Sequence, residues 1–149
     1  MGLTNRYATL SALLMMLALL LGGCQSLNTE PENSLYQQLG EREGIANVVE
    51  DLLYLIVEDE RINQQFKGMD VAQFHRNLTD QLCELSGGPC AYTSREMREL
   101  HSDMAITDTQ FNALAENLIL AMEKNDIPTG AQNRLIKQLV PLYPDIRNL

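Results

Sequence analysis

The sequence predicts an all-α domain. Apolar residues recur at spacings of three and four through every long segment, and the segment boundaries carry helix caps and glycine or proline stops. No stretch alternates with the period of two that a half-buried strand requires. With 149 residues, one domain remains once an N-terminal targeting segment is set aside.

That segment is residues 1–23. Arg6 gives it a positive start, and Leu10 to Leu21 (LSALLMMLALLL) is an apolar run too short to span a bilayer comfortably but suited to a signal-peptide core. It ends Leu21-Gly22-Gly23-Cys24, which resembles a bacterial lipobox. That resemblance implies cleavage before Cys24, acylation of its thiol and attachment to the cell envelope. With Gln25 rather than aspartate next, the expected site is the outer membrane, facing the periplasm. Residues 24–33, polar and containing Pro31, read as a tether. The domain is 34–149.

Ser34 caps a short helix, Leu35 to Leu39, stopped by Gly40. Glu41 to Glu58 is a long helix, with Ile45, Val48, Val49, Leu52, Leu53, Ile56 and Val57 as its apolar positions. Asp59-Glu60-Arg61 breaks it, and Ile62 and Phe66 mark a helical turn closed by Gly68. Asp70 caps the next helix, whose stripe is Val71, Phe74, Leu78, Leu82 and Leu85, and Gly87-Gly88-Pro89 stops it. Ser94 to Leu100 is a short helical pattern ending at His101. Thr107, with Gln110 three residues on, is a capping box that opens a helix burying Phe111, Leu114, Leu118 and Met122. Pro128-Thr129 starts the last helix, with Leu135, Ile136, Leu139, Val140 and Leu142 on its apolar face; Pro141 and Pro144 bend or end it.

Twenty acidic residues face eleven basic ones, for a net charge of −9; loss of Arg6 with the leader makes it −10. Such a chain is unsuited to nucleic acid or to electrostatic attachment to anionic lipid, so membrane attachment would come from the acyl chains on Cys24. Cys83 and Cys90 flank a Ser-Gly-Gly-Pro turn, which makes them a candidate disulfide in an oxidising envelope, worth about 2 kcal/mol for so small a loop. The sequence holds no Cys-x-x-Cys-His, no paired catalytic carboxylates, no phosphate-binding glycine loop and no zinc-type ligand spacing. His101 sits at the end of a short helix beside Met97, Ile106 and Phe111. It is either an ordinary hydrogen-bonded histidine or an axial ligand to a metal or cofactor.

The order of motifs resembles the group 1 truncated haemoglobins over Ser34 to Ile146. The residues that carry the likeness are Leu35-Tyr36 and Leu39-Gly40, Ile45 with Val48-Val49-Glu50-Asp51, Asp59 with Phe66-Lys67-Gly68, and Val140-Pro141-Leu142. The longest piece runs Gly87-Gly88-Pro89, Tyr92-Thr93, Met97, His101, Ile106-Thr107 and Phe111. The resemblance implies a two-over-two helical sandwich around a non-covalent haem b. His101 would be the proximal metal ligand, its other ring nitrogen donating to a carbonyl or water. Phe66 would pack on the porphyrin, with Phe74, Leu78 and Leu82 on the distal side, Met97, Ile106 and Phe111 on the proximal side, and Tyr92 in the same wall.

The sequence departs from the family on the distal side. In a gap-free match the distal tyrosine position falls on Leu53, the distal glutamine position on Leu78, and the gate on Phe74, which gives an apolar pocket. A one-residue slip instead makes Tyr54 and His75 a polar distal pair, and His75 opposite His101 would be a bis-histidine arrangement. The leading functional reading is binding of a diatomic gas (O2, NO or CO). The alternatives are a haem enzyme on the same site, an NO dioxygenase or peroxidase-like activity served by a reductase, and a haem-free interaction module.

Overall fold

The computed structural model describes residues 34–147. The expected leader and tether, with Cys24, lie outside the described residues. Six helices and two 3₁₀ turns follow one another, and no strand occurs among the described residues. They are α1 (Leu35–Gln38), α2 (Glu41–Glu58), a 3₁₀ turn (Asn63–Phe66), α3 (Val71–Leu85), α4 (Met97–His101), α5 (Asp108–Lys124), α6 (Thr129–Leu139) and a closing 3₁₀ turn (Val140–Asp145).

The expected caps form. Ser34 Oγ accepts from the Gln37 amide at 3.2 Å, and Asp70 Oδ1 from the Gln73 amide at 2.9 Å. The Thr107–Gln110 box closes in both directions, at 3.3 and 2.9 Å. Each satisfies an amide that the first helical turn leaves without a partner. Gly87 stops α3 at φ +85°, a conformation that costs glycine nothing. Gly88 is required for a different reason: a Cβ there would come within 2.6 Å of Cys83 Sγ and the Tyr36 ring.

α2 lies at the centre, packing on α3 along one side and α5 along another, while α6 reaches α5, α3 and α1. The fold is thus two helix pairs, α2 with α3 and α5 with α6, in the two-over-two arrangement. Its core is aliphatic: Ile45, Val49, Leu52, Ile56, Leu82, Met122 and Leu135 are each at most 2% exposed. Burying one such side chain stabilises the fold by roughly 1.5–3 kcal/mol.

Three expected details differ. α4 begins at Met97, not Ser94. Tyr92 Oη donates to the Arg95 carbonyl (3.1 Å) and the Asn77 amide nitrogen to Ser94 Oγ (3.3 Å), so Ser94 to Glu96 are held outside the helix. Val57 and Val71, counted into apolar stripes, are 72% and 57% exposed, because both border a surface groove described below. Finally, α6 ends at Leu139. Pro141 lacks the amide that a continuing α-helix would use, and the chain tightens into the 3₁₀ turn.

Candidate functional site

Between α3, α4, α5 and the C-terminal turn lies a cavity of about 460 Å³, within the usual range for a small-molecule or cofactor site. Phe66, Phe74, Leu78, Leu82, Tyr92, Met97, His101, Ile106 and Phe111 all border it. The chain has three phenylalanines; all three line this cavity and none is fully buried in the polypeptide core. The fully buried part of the wall is aliphatic: Leu52, Ile62, Leu82, Ile106 and Leu118. The polar lining residues, Gln65, Gln73, Asn77, Gln81 and Arg95 among them, are all partly or fully exposed and so mark its open edge.

His101 ends the five-residue α4. Its Nδ1–H donates to the Met97 carbonyl four residues back, at 2.7 Å. That bond fixes the tautomer and leaves Nε2 with its lone pair, without a hydrogen-bond partner among the described residues. The chain then reverses within a few residues: Asp103 and Ala105 adopt φ of +64° and +48°, which returns Ile106 to the cavity wall. Gln81 reaches across from α3 to Met97 Sδ at 3.4 Å.

Two aromatic contacts shape the ends of the cavity. Phe66 meets Phe74 edge to face at 5.6 Å, joining the 3₁₀ turn to α3. Arg61 fastens the same turn, pairing with Asp59 (2.8 Å) and Glu116 on α5 (2.7 Å). The Arg61 hydrogen bonds hold the Asp59 carboxyl well below the usual carboxylate range, against the opposing effect of desolvation. At the other end Phe111 meets Tyr143 at 4.7 Å. Tyr143 Oη and Arg147 both donate to Asp108 Oδ1 at 2.7 Å, and Arg98 on α4 pairs with Asp145 at 2.8 Å. The C-terminal turn is therefore latched over the His101 side. Asp108 is held below its ordinary pKa, first by Tyr143 and then by Arg147.

Of the distal residues expected from the sequence, Phe74 and Leu78 line this cavity, and Leu53, Tyr54 and His75 do not. Leu53, Tyr54 and His75 border an adjoining, more open groove of about 660 Å³, with Val57 and Val71; Phe66 and Met69 line both. On α2 it is Leu52, 1% exposed, that borders the cavity; Leu53 lies 100° further round and Tyr54, 64% exposed, twice that. His75 Nε2 bonds the Ala46 carbonyl at 3.0 Å, clamping α3 to α2. Neither the polar Tyr54–His75 pair nor a His75–His101 pair is assembled in the cavity. Phe74 and Leu78 do line it. The sequence assigned Leu52 to the core but not to this wall, and it missed the contribution of Leu142 and Ile146.

Cys83 and Cys90 are disulfide-bonded, with Cα atoms 5.8 Å apart. The disulfide ties the end of α3 to the extended segment that leads to α4. No group of three or more His, Cys, Asp or Glu side chains that could hold a metal occurs among the described residues. A metal here would depend on a ligand such as a porphyrin, with one imidazole from the protein. The cavity fits that: apolar walls with aromatic faces, a polar open edge and one histidine with an unengaged nitrogen.

Comparison with known proteins points the same way. The family model for the bacterial-like globins matches residues 34–148. The group 1 truncated haemoglobin GlbN of Mycolicibacterium paratuberculosis is 26% identical over 113 residues, covering 76% of this chain and 83% of that protein. The Fe(III) crystal structure of truncated haemoglobin from Tetrahymena pyriformis superposes with a TM-score of 0.76 at 26% identity, covering 78% of this chain and all of that one. The 2/2 haemoglobin of Synechococcus sp. PCC 7002, solved in the cyanomet state with covalently attached haem, gives 0.73 at 28% identity, with the same coverages. In the present domain the two cysteines are bonded to each other and His75 is turned away, so neither offers a covalent attachment point in the cavity. Helical sandwich, cavity, histidine and relatives agree: this chain belongs to the bacterial-like globins, and it has the two-over-two fold of the truncated haemoglobins, a family that binds gases at haem.

Proposed function

We propose that the chain is a haem b protein that binds a small diatomic gas through His101 ligation, and that acylated Cys24 holds it at the bacterial envelope. The observation that carries the reading is His101, with Nδ1–H engaged by the Met97 carbonyl and the Nε2 lone pair left beside an apolar cavity. His101 would hold the haem, which when bound would supply the iron that takes up the gas. Phe66, Phe74 and Phe111 would pack on the porphyrin, and the latched C-terminal turn keeps water from the His101 side.

The distal wall near Leu52, Phe74 and Leu78 presents carbon. A polar ligand such as O2 gains no hydrogen bond from these three side chains. The missing bond is worth about 1–3 kcal/mol, or roughly 5–150-fold in affinity. CO and NO, which depend less on such a donor, are accordingly favoured. The envelope location is supported by the Leu21-Gly22-Gly23-Cys24 sequence and agrees with a disulfide in the domain.

The test is the absorption spectrum of the purified chain reconstituted with haem, in ferric, ferrous and CO forms. A Soret band whose position and intensity depend on His101 is expected; a spectrum indifferent to its replacement overturns the ligation. Cell fractionation of Cys24→Ala addresses the anchor, which predicts release from the membrane fraction.

A further inference from the structure

Residues 89–95 join the stop of α3 to the start of α4, and among the described residues they make no backbone-to-backbone hydrogen bond. Two side-chain hydrogen bonds tie this segment to α3, both 3.3 Å long: the Tyr92 amide donates to Glu84 Oε2, and the Asn77 side-chain amide to Ser94 Oγ. The remaining tie to α3 is covalent, the Cys83–Cys90 bridge. We propose that this bridge is a site of thiol–disulfide exchange with a protein dithiol, and that opening it loosens the segment leading to His101 and releases haem; this rests on the haem reading above.

The two hydrogen bonds are longer than the usual range of about 2.7–3.2 Å, so the disulfide is the firmest of the three ties. What it holds in place matters to the cavity. Tyr92 is part of the wall, and α4 begins directly after the segment. A helix of five residues does not hold its own shape or direction. Yet the Met97 carbonyl, in its first residue, is the group that orients the His101 ring. The imidazole is therefore aimed by a short helix whose approach Cys90 and Tyr92 set. Beyond Met97, Arg98 keeps its 2.8 Å pair with Asp145, so opening the bridge frees one end of α4 without unfolding the domain.

The two sulfurs are unequally reachable. Cys83 is 0% exposed, its sulfur beside the Tyr36 ring and Gly88, whereas Cys90 is partly exposed, between exposed Pro89 and Ala91. A thiolate of the dithiol attacks Cys90 Sγ, the Cys83–Cys90 bond breaks, and Cys83 leaves as a thiolate that takes up a proton. The second thiol of the dithiol then displaces Cys90 from the mixed disulfide. Two electrons and two protons pass to the cysteines, and the partner departs as its own disulfide. An oxidising envelope re-forms the bridge, so haem is held under oxidising conditions and released where dithiol prevails.

The experiment is haem transfer from the haem-loaded full chain to excess apomyoglobin, followed by absorbance, with and without dithiothreitol as the dithiol. Iodoacetamide labelling of Cys90, read by peptide mass spectrometry, reports whether the bridge has opened. Opening is expected to speed haem loss about threefold to thirtyfold, the upper figure being the hold that so short a bridged loop contributes. Re-oxidation with oxidised glutathione should restore the slow rate, and the far-UV circular dichroism should stay unchanged throughout. The Cys83→Ala/Cys90→Ala double variant should lose haem fast with or without dithiothreitol. Equal loss from bridged and opened wild type overturns the inference, and so does a bridge that dithiothreitol leaves closed. Acceleration by dithiothreitol in the double variant overturns it too, since the reductant then acts on the iron. So does a loss of helical signal that runs parallel to the loss of haem, because the bridge then merely holds the fold. If wild type takes up no haem, the haem reading fails and this inference with it.

Discussion

The two histidines of this chain make matched half-buried hydrogen bonds to backbone carbonyls, so replacing each with alanine separates ligation from ordinary stability. His75→Ala removes the 3.0 Å bond to the Ala46 carbonyl, and His101→Ala removes the 2.7 Å bond to the Met97 carbonyl. Each loss costs about 1 kcal/mol, or about 3–6 °C in Tm for a domain of this size, with or without haem. Haem adds a second contribution, by mass action. At free haem a hundred times its Kd, wild type gains about 2.7 kcal/mol, or about 8–16 °C. Losing the imidazole ligand should weaken haem by at least the hundredfold seen when a ligand's supporting group is removed. The remaining gain is then about 0.4 kcal/mol, or one to three degrees. Thermal melts by circular dichroism, with and without haem, read both contributions in one experiment. The haem-dependent rise should survive His75→Ala and nearly vanish in His101→Ala. If His101→Ala keeps the rise, or His75→Ala loses it, the proximal assignment is wrong.

On the distal side, Leu52→Gln should slow O2 release measured by stopped flow by about 5–150-fold, since its amide enters the cavity wall, whereas Leu53→Gln should leave the rate unchanged. The reverse pattern would restore the register read from the sequence. The C-terminal latch should be acid-sensitive. Asp108 has a depressed pKa, so its contribution is complete above the unfolded carboxylate value of about 3.9 and is lost as pH falls through the lower folded value. Haem release from Asp108→Asn should exceed that of wild type at neutral pH, and the two should converge in strong acid; rates equal at every pH would remove the latch from the account. Tyr143 is pushed upward by its bond to Asp108, so its contribution persists below about pH 10 and disappears as pH rises through its raised value. Reducing Cys83–Cys90 should lower Tm by an amount set by about 2 kcal/mol, the loop-closure value for so short a separation. Melts with and without a phosphine reductant check it. An unchanged Tm would mean that the hydrogen bonds of the turn, Tyr36 to Ser86 and Gly88 to Cys83, hold it unaided.

The long helices were legible because periodicity sums over many residues. Ile45, Val48, Val49, Leu52 and Ile56 define one face of α2 whatever any single position does. The same sum cannot decide a single step. Leu52, Leu53 and Tyr54 are consecutive and all apolar in part, and each step is 100°. Which of them meets the cavity is therefore set by how α2 sits on α3 and α5. Side-chain hydrogen bonds settled other details as well. The Tyr92 hydroxyl and the Asn77 amide keep Ser94 to Glu96 out of α4, and neither partner is visible in a local helical pattern. Likewise Pro141 announced a bend, but not that the following turn would return Leu142 and Ile146 to the cavity. His101 lay between these cases. Its Nδ1 partner, Met97, is one helical turn away and readable, but the use of Nε2 depends on a space enclosed by segments from Leu52 to Ile146. The three phenylalanines mark that space. In an ordinary aliphatic core they would be the first side chains buried, yet Ile45, Leu52 and Met122 fill the core while Phe66, Phe74 and Phe111 are only partly buried, around one cavity. Aromatic side chains around a common space, beside a histidine with one free nitrogen, are what a flat, metal-centred cofactor requires of its walls.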